Sequence, residues 1–145
     1  MRVFNPITII RGLINRSIAA FMYGEAMTDV NKGRYAEGLD RFLRLEKMDS
    51  SFSENAYFNI LVGVSLFQLM KYDDSIKSFD AGYMRFIETG PRRSNVNRVI
   101  EGHLRNYYIR VLEMDGQMDK ASKILNHLDE MKKANYKWNA KVSNR

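Results

Sequence analysis

Apolar and polar residues alternate along this chain in blocks that read as helices. From Asn55 to Met70 the sequence NAYFNILVGVSLFQLM holds no charged residue, and its aromatic and aliphatic side chains fall on every side of a helical wheel. That pattern predicts a helix covered all round by protein. The segment is interrupted by Asn59 and Gln68 and falls short of the ~18 or more apolar residues expected of a membrane span. A buried core helix is therefore expected.

The flanking blocks are amphipathic. Asn5 followed by Pro6 has the form of a helix opening, a capping side chain and then proline at the first helical position. Ile7, Ile10, Ile14, Ile18 and Phe21 recur at spacings of three and four, with Ile9 and Leu13 widening the stripe. This predicts an amphipathic helix over residues 1–22 that either runs on or breaks between Gly12 and Ser17. The next segment reaches Val30 and stops at Lys32-Gly33. A second helix follows almost at once, with Tyr35, Leu39, Phe42 and Leu43 on one face, so the two must lie antiparallel.

Ser51-Phe-Ser-Glu54 has the form of a capping box and is expected to open the central helix. Asp73 or Asp74 is expected to cap the following one, whose stripe is Tyr72, Ile76, Phe79, Tyr83 and Phe86, and Gly90-Pro91 to stop it. Ser94 or Asn95 suits the cap of a long helix ending near Met114. Asp115-Gly116 breaks the chain again, and a last helix runs from Met118 to Ala134 with Ala121, Leu125, Leu128 and Met131 inward. Residues 135–145 read as a frayed end. No segment alternates with period two for long enough to make a strand, so an all-α fold is expected.

The chain also repeats itself. Gly33-Arg-Tyr-Ala-Glu-Gly-Leu-Asp-Arg-Phe42, Met70-Lys-Tyr-Asp-Asp-Ser-Ile-Lys-Ser-Phe79 and Gly116-Gln-Met-Asp-Lys-Ala-Ser-Lys-Ile-Leu125 align without gaps. Each has a turn, a large apolar residue, a small residue (Gly38, Ser75, Ala121) and an apolar residue four further on. Three stacked helix pairs make a solenoid. At these residues the chain resembles the tetratricopeptide repeat family. The second repeat carries the resemblance best, with Leu61-Val-Gly63, Leu66-Phe67, Tyr72, Ser75 and Phe79 at the family's positions. The first supplies Ala26, Tyr35, Gly38 and Phe42 but has Asp29 where an apolar residue is expected; the third supplies Leu112, Ala121 and Leu125 but has Ile109 at a small position. The separations are 37 residues from Tyr35 to Tyr72 and 46 from Tyr72 to Met118, against about 34 in the family.

The resemblance implies antiparallel helix pairs stacked as a short right-handed solenoid of six or seven helices, with repeats over 19–50, 54–89 and 94–134. The segment 1–22 would pack on or extend this array, and 136–145 would be a basic tail. It also implies that the first helix of each pair lines a concave face. Tyr23, Met27, Val30, Tyr57, Ile60, Val64, Phe67, His103, Asn106 and Arg110 would then form a groove for a partner's peptide or amphipathic helix. The Lys/Asn clamp that some family members close on a C-terminal carboxylate is not visible, because Tyr23, Met27, Leu61, His103 and Tyr107 stand at its positions. A local likeness of Glu130–Asn139 to the end of a pentatricopeptide repeat implies single-stranded RNA instead.

Charge sharpens that second possibility. The net charge is +6, and from Met1 to Gly24 there are three Arg and no acid. Residues 91–110 carry five Arg against one Glu, and five basic residues follow Glu130 with no acid after it. Arg92, Arg93, Arg98, Arg105, Lys132, Lys133, Lys137 and Lys141 are thus a candidate basic patch for nucleic acid, although a solvated face is the commoner use of such residues. The acid-free start also suits a membrane-surface helix or an organellar presequence, while lacking the form of a secretory signal.

Little in the chain points to catalysis. His103 and His127 are 24 residues apart with no partner at helical spacing, there is no Cys, and no glycine-rich phosphate loop or nucleophile elbow occurs. No cofactor and no metal are expected. The expected function is a non-catalytic protein-binding adaptor, scaffold or chaperone of the cytoplasm that binds another protein or a second copy of itself, with nucleic-acid binding as the alternative.

Overall fold

Three turns of one form set the path of the chain. In each, a helix ends in a residue with positive φ: Gly33 at 77°, Met70 at 61° and Gly116 at 78°. The amide of that residue donates three residues back, to Val30, Phe67 and Glu113, and the next amide reaches five back, to Asp29, Leu66 and Leu112. These paired bonds satisfy carbonyls that a helix end would otherwise leave bare, the Schellman arrangement. The three turns occupy equivalent places in the sequence repeat and share one backbone geometry. Glycine meets positive φ without steric cost, whereas Met70 does not. Because its side chain is exposed, Met70→Gly is expected to raise the unfolding free energy by about 0.5–1 kcal/mol in urea melts; an unchanged midpoint would show that Met70 is unstrained.

The structure, a computed structural model, describes residues 5–89 and 94–143, with side chains as far as Ala134. It is all-helical, and the described residues include no strand. Helix α1 is Pro6–Asn31 and α2 is Tyr35–Met48, followed by a short 3-10 turn, Ser50–Glu54. Helices α3 (Ala56–Gln68) and α4 (Tyr72–Glu88) come next. A long helix then runs as α5 (Asn95–His103), a π segment (Leu104–Tyr108) and α6 (Ile109–Met114), and α7 is Met118–Ser143. Helix α1 packs on α2, α3 on α4 and α6 on α7, while α2 meets α3 and α4 meets α6.

Helix α3 is the centre. Every residue from Phe58 to Leu66 is buried. Its polar residues are satisfied locally: Asn59 Nδ2 donates to the carbonyls of Ser53 at 2.7 Å and Asn55 at 3.0 Å, and Ser65 Oγ donates to Leu61 at 2.9 Å. The α3–α4 pair is close because two glycines let it be. A Cβ on Gly82 would lie 2.7 Å from Ile60 Cδ1, and one on Gly63 would lie 2.9 Å from the Phe79 ring. Ser75 closes the same seam by donating to the Gly63 carbonyl at 2.8 Å.

Several boundaries differ from the expectation. Ser51 and Glu54 form no box on α3. Asp49 accepts from the Ser51 amide at 2.9 Å and opens the 3-10 turn, while Asn55 caps α3 by accepting from Phe58 at 3.0 Å. An aspartate just before the run supplies a competing cap, so the chain takes a short extra turn first. Neither Asp73 nor Asp74 is the cap of α4; both sit in its first turn, where a carboxylate complements the helix dipole. Asn5 and Ser94 cap as expected, accepting from Ile7 and Asn97 at 3.1 Å. Helix α1 runs unbroken through Gly12–Ser17, and α7 continues past Ala134 to Ser143. Gly90 and Pro91 lie outside the described residues.

Candidate functional site

The expected groove residues separate by depth. Val30, Ile60 and Val64 are core residues, at most 6% exposed, and do not line an open surface. Ile60 is spent against Gly82 inside the α3–α4 pair. The cause is the all-apolar character of α3: with no polar stripe, a wheel cannot show which apolar side faces outward. Tyr23, Met27, Tyr57 and Phe67 are half-buried against the core, His103 is half-buried, and Asn106 and Arg110 are exposed.

The accessible members gather in two groups. In the first, Tyr23 stands at the rim of a ring cluster with Phe42, Phe52 and Phe58, at centroid separations of 5.6–6.2 Å. Burial, with Tyr57 adding to it, pushes the Tyr23 phenol up to about 12, and burial also raises Tyr57. Both are neutral at physiological pH and present an O–H. Met27 is one helical turn beyond Tyr23.

The second group owes its shape to the π segment. Inserting one residue into a helix re-aims the side chains that follow it, and such bulges are frequent at functional sites. Here two consecutive tyrosines turn toward the protein. Tyr108 is fully buried and stacks on Phe79 at 5.5 Å; Tyr107 is half-buried and meets Phe67 edge-on at 5.4 Å. His103 lies 5.8 Å from Tyr107, and burial lowers its pKa, which favours neutral imidazole. Phe67, Tyr107 and His103 thus form one aromatic run, with Asn106 and Arg110 exposed on the same long helix. Nothing in the sequence announced the π segment, because its residues, Leu-Arg-Asn-Tyr-Tyr, also suit an ordinary helix.

The expected basic patch is only partly available. Arg105 is engaged by Glu101 at 3.1 Å and Asp129 at 2.8 Å. Arg98, Lys132 and Lys133 are exposed. Arg92 and Arg93 lie outside the described residues, and Lys137 and Lys141 are described in backbone alone.

Two clefts lie elsewhere. One, of about 850 Å³, runs between α1 and α2 beside Phe21, Glu25, Asp29, Glu37 and Arg41. Its charges are largely paired with one another: Arg34 and Arg41 grip Asp29, and Arg41 also reaches Glu25 at 3.5 Å. The other, of about 540 Å³, lies between α4, the π segment and α7. There Tyr83 and His127 Nδ1 share a 2.8 Å hydrogen bond, while Asp80 accepts from Tyr108 and from Lys120 at 2.9 Å. Burial first, then the bond to Asp80, holds the Tyr108 phenol far above its ordinary range. These contacts fasten the last helix to the core. Among the described residues no group of three or more His, Asp or Glu gathers as a metal site would, and no helix is long and apolar enough to cross a membrane.

Neither a protein-family model, nor a curated protein, nor a solved structure matches this chain.

Proposed function

We propose that the chain is a non-catalytic protein-binding adaptor, scaffold or chaperone, whose helix pairs stack as a short tetratricopeptide-like array and hold a peptide or helix of a partner. The three equivalent turns and the sequential packing of helix pairs support the array. The aromatic run of Phe67, Tyr107 and His103 carries the binding reading. Half-buried rings flanked by exposed polar and cationic side chains have the composition of interface anchors with a wet rim. Arg110 suits an acidic residue beside the partner's apolar anchors.

A displayed peptide library panned on the intact chain is expected to return apolar sequences that carry an acidic residue. Phe67→Ala combined with Arg110→Ser should weaken the recovered peptide by about 30-fold, while circular dichroism shows the helices intact. Equal binding by the variant would place the site elsewhere. Binding of single-stranded RNA at low salt, falling steeply as salt rises, would replace this reading with the nucleic-acid one.

A further inference from the structure

Helix α1 is too long for the body it packs on. At 26 residues it spans about 39 Å, whereas α2 at 14 residues spans about 21 Å. Every residue from Asn5 to Ile18 is exposed, and the run includes large apolar side chains. Ile7 is 62% exposed, Leu13 56% and Phe21 68%.

The side of α1 that packs on the body is not the side that carries its apolar residues in the N-terminal half. At ~100° per residue, Ala19, Met22, Ala26 and Val30 define the side turned to the body. In the N-terminal half that side continues as Thr8, Gly12 and Asn15, all polar or small. The apolar residues Ile7, Ile10, Leu13, Ile14, Ile18 and Phe21 fall on the other side and, with Ile9 at one edge, make an arc of about 180°. Every residue of that arc is exposed, so the body leaves it uncovered.

Charge marks what does cover it. Arg11 and Arg16 sit at the two borders of the arc, and no acid occurs from Met1 to Gly24. Arg16 adds to the lowering of the Asp49 carboxyl, after the dominant hydrogen bonding from Ser51. From such borders a guanidinium reaches lipid phosphates while its stem lies along apolar surface. We infer that residues 6–21 form an in-plane anchor that lays the arc of Ile7, Ile10, Leu13, Ile14, Ile18 and Phe21 into an anionic lipid surface, holding the helical body against it. An arc of half the circumference matches shallow immersion at the headgroup boundary better than the narrow stripe of a coiled-coil seam.

Flotation of the full chain with vesicles tests this. The chain is expected to rise with phosphatidylcholine vesicles containing phosphatidylserine and to rise much less with phosphatidylcholine alone. Arg11→Ser with Arg16→Ser should lower the partition about 25-fold, at about fivefold per cation. Ile10→Ser with Ile14→Ser should lower it by at least about tenfold. All four positions are exposed, so thermal unfolding of both variants should match the parent. No retention on anionic vesicles at low salt, or full retention of the isoleucine variant, overturns the inference. So does a chain that does not float and sediments as a dimer until Ile10 and Ile14 are replaced, because the face then belongs to a second copy.

Discussion

Phe79→Ala is expected to lower the unfolding free energy by about 3–5 kcal/mol, a large part of what a domain of this size has. Phe79 is fully buried where three elements meet. One edge of its ring lies where a Cβ on Gly63 would stand, and its face stacks on Tyr108 at 5.5 Å and 28°. Truncation therefore opens a void lined by α3 on one side and the π segment on the other. Neither wall can close it easily. The Gly63 side is backbone already tied to Ser75, and Tyr108 is held by Asp80, which Lys120 of α7 also binds. Collapse would have to break those bonds, so the cavity term should persist. Phe79→Leu, which keeps most of the volume, should cost less than about 1.5 kcal/mol. Urea denaturation with an unchanged slope checks both. A loss under ~2 kcal/mol for the alanine variant would mean that the junction repacks freely.

How much of this was visible beforehand depends on what kind of interaction set each feature. Local signals survived: Asn5, Ser94 and the turns at Gly33, Met70 and Gly116 were all legible, because caps and Schellman turns are written in a few adjacent residues. The burial of Phe58–Leu66 followed from the absence of charge. What failed needed either competition or direction. Asp49 opens a 3-10 turn and Asn55 caps α3 in place of Ser51, and several nearby cap candidates cannot be ranked from composition. For the candidate site, the uniformly apolar α3 concealed that Ile60 faces Gly82 rather than a groove, while Phe67, in its last turn, is only partly buried. The pairing of Phe67 with Tyr107 rests on the π segment, a departure from helical register that side-chain periodicity does not encode. The exposed arc of α1 was hidden for a related reason: the stripe over residues 7–21 is regular in sequence, but the side of the helix that packs on the body, with Ala19, Ala26 and Val30, lies away from it.

Asp29→Ala is the second substitution expected to be severe, at about 2–3 kcal/mol. Asp29 breaks the apolar pattern of the repeat, and it is 2% exposed. Its two oxygens divide between two arginines: Arg34 approaches Oδ1 at 2.9 Å and Arg41 approaches Oδ2 at 2.5 Å. The Asp29 carbonyl also accepts from the Arg34 amide at 2.7 Å, the bond of the first turn that spans five residues. Side chain and main chain of one residue thus hold α1, the turn and α2 together. Removing a buried partner commonly costs about 3–5 kcal/mol, because a charge is left unpaired in a poor dielectric. Here the arginines are 51% and 37% exposed and can rehydrate, which sets the lower figure. Arg41→Ala should cost less than Asp29→Ala, since Arg34 stays on the carboxylate. Asp29→Leu separates packing from charge. It restores the apolar residue of the repeat pattern, so it should recover about 1 kcal/mol of the alanine loss through contact with neighbouring α2. If the leucine variant instead matches the parent, the ion pairs contribute specificity to the first turn and no net stability; if the alanine variant loses less than ~1 kcal/mol, water reaches Asp29 and the pairs behave as surface bridges.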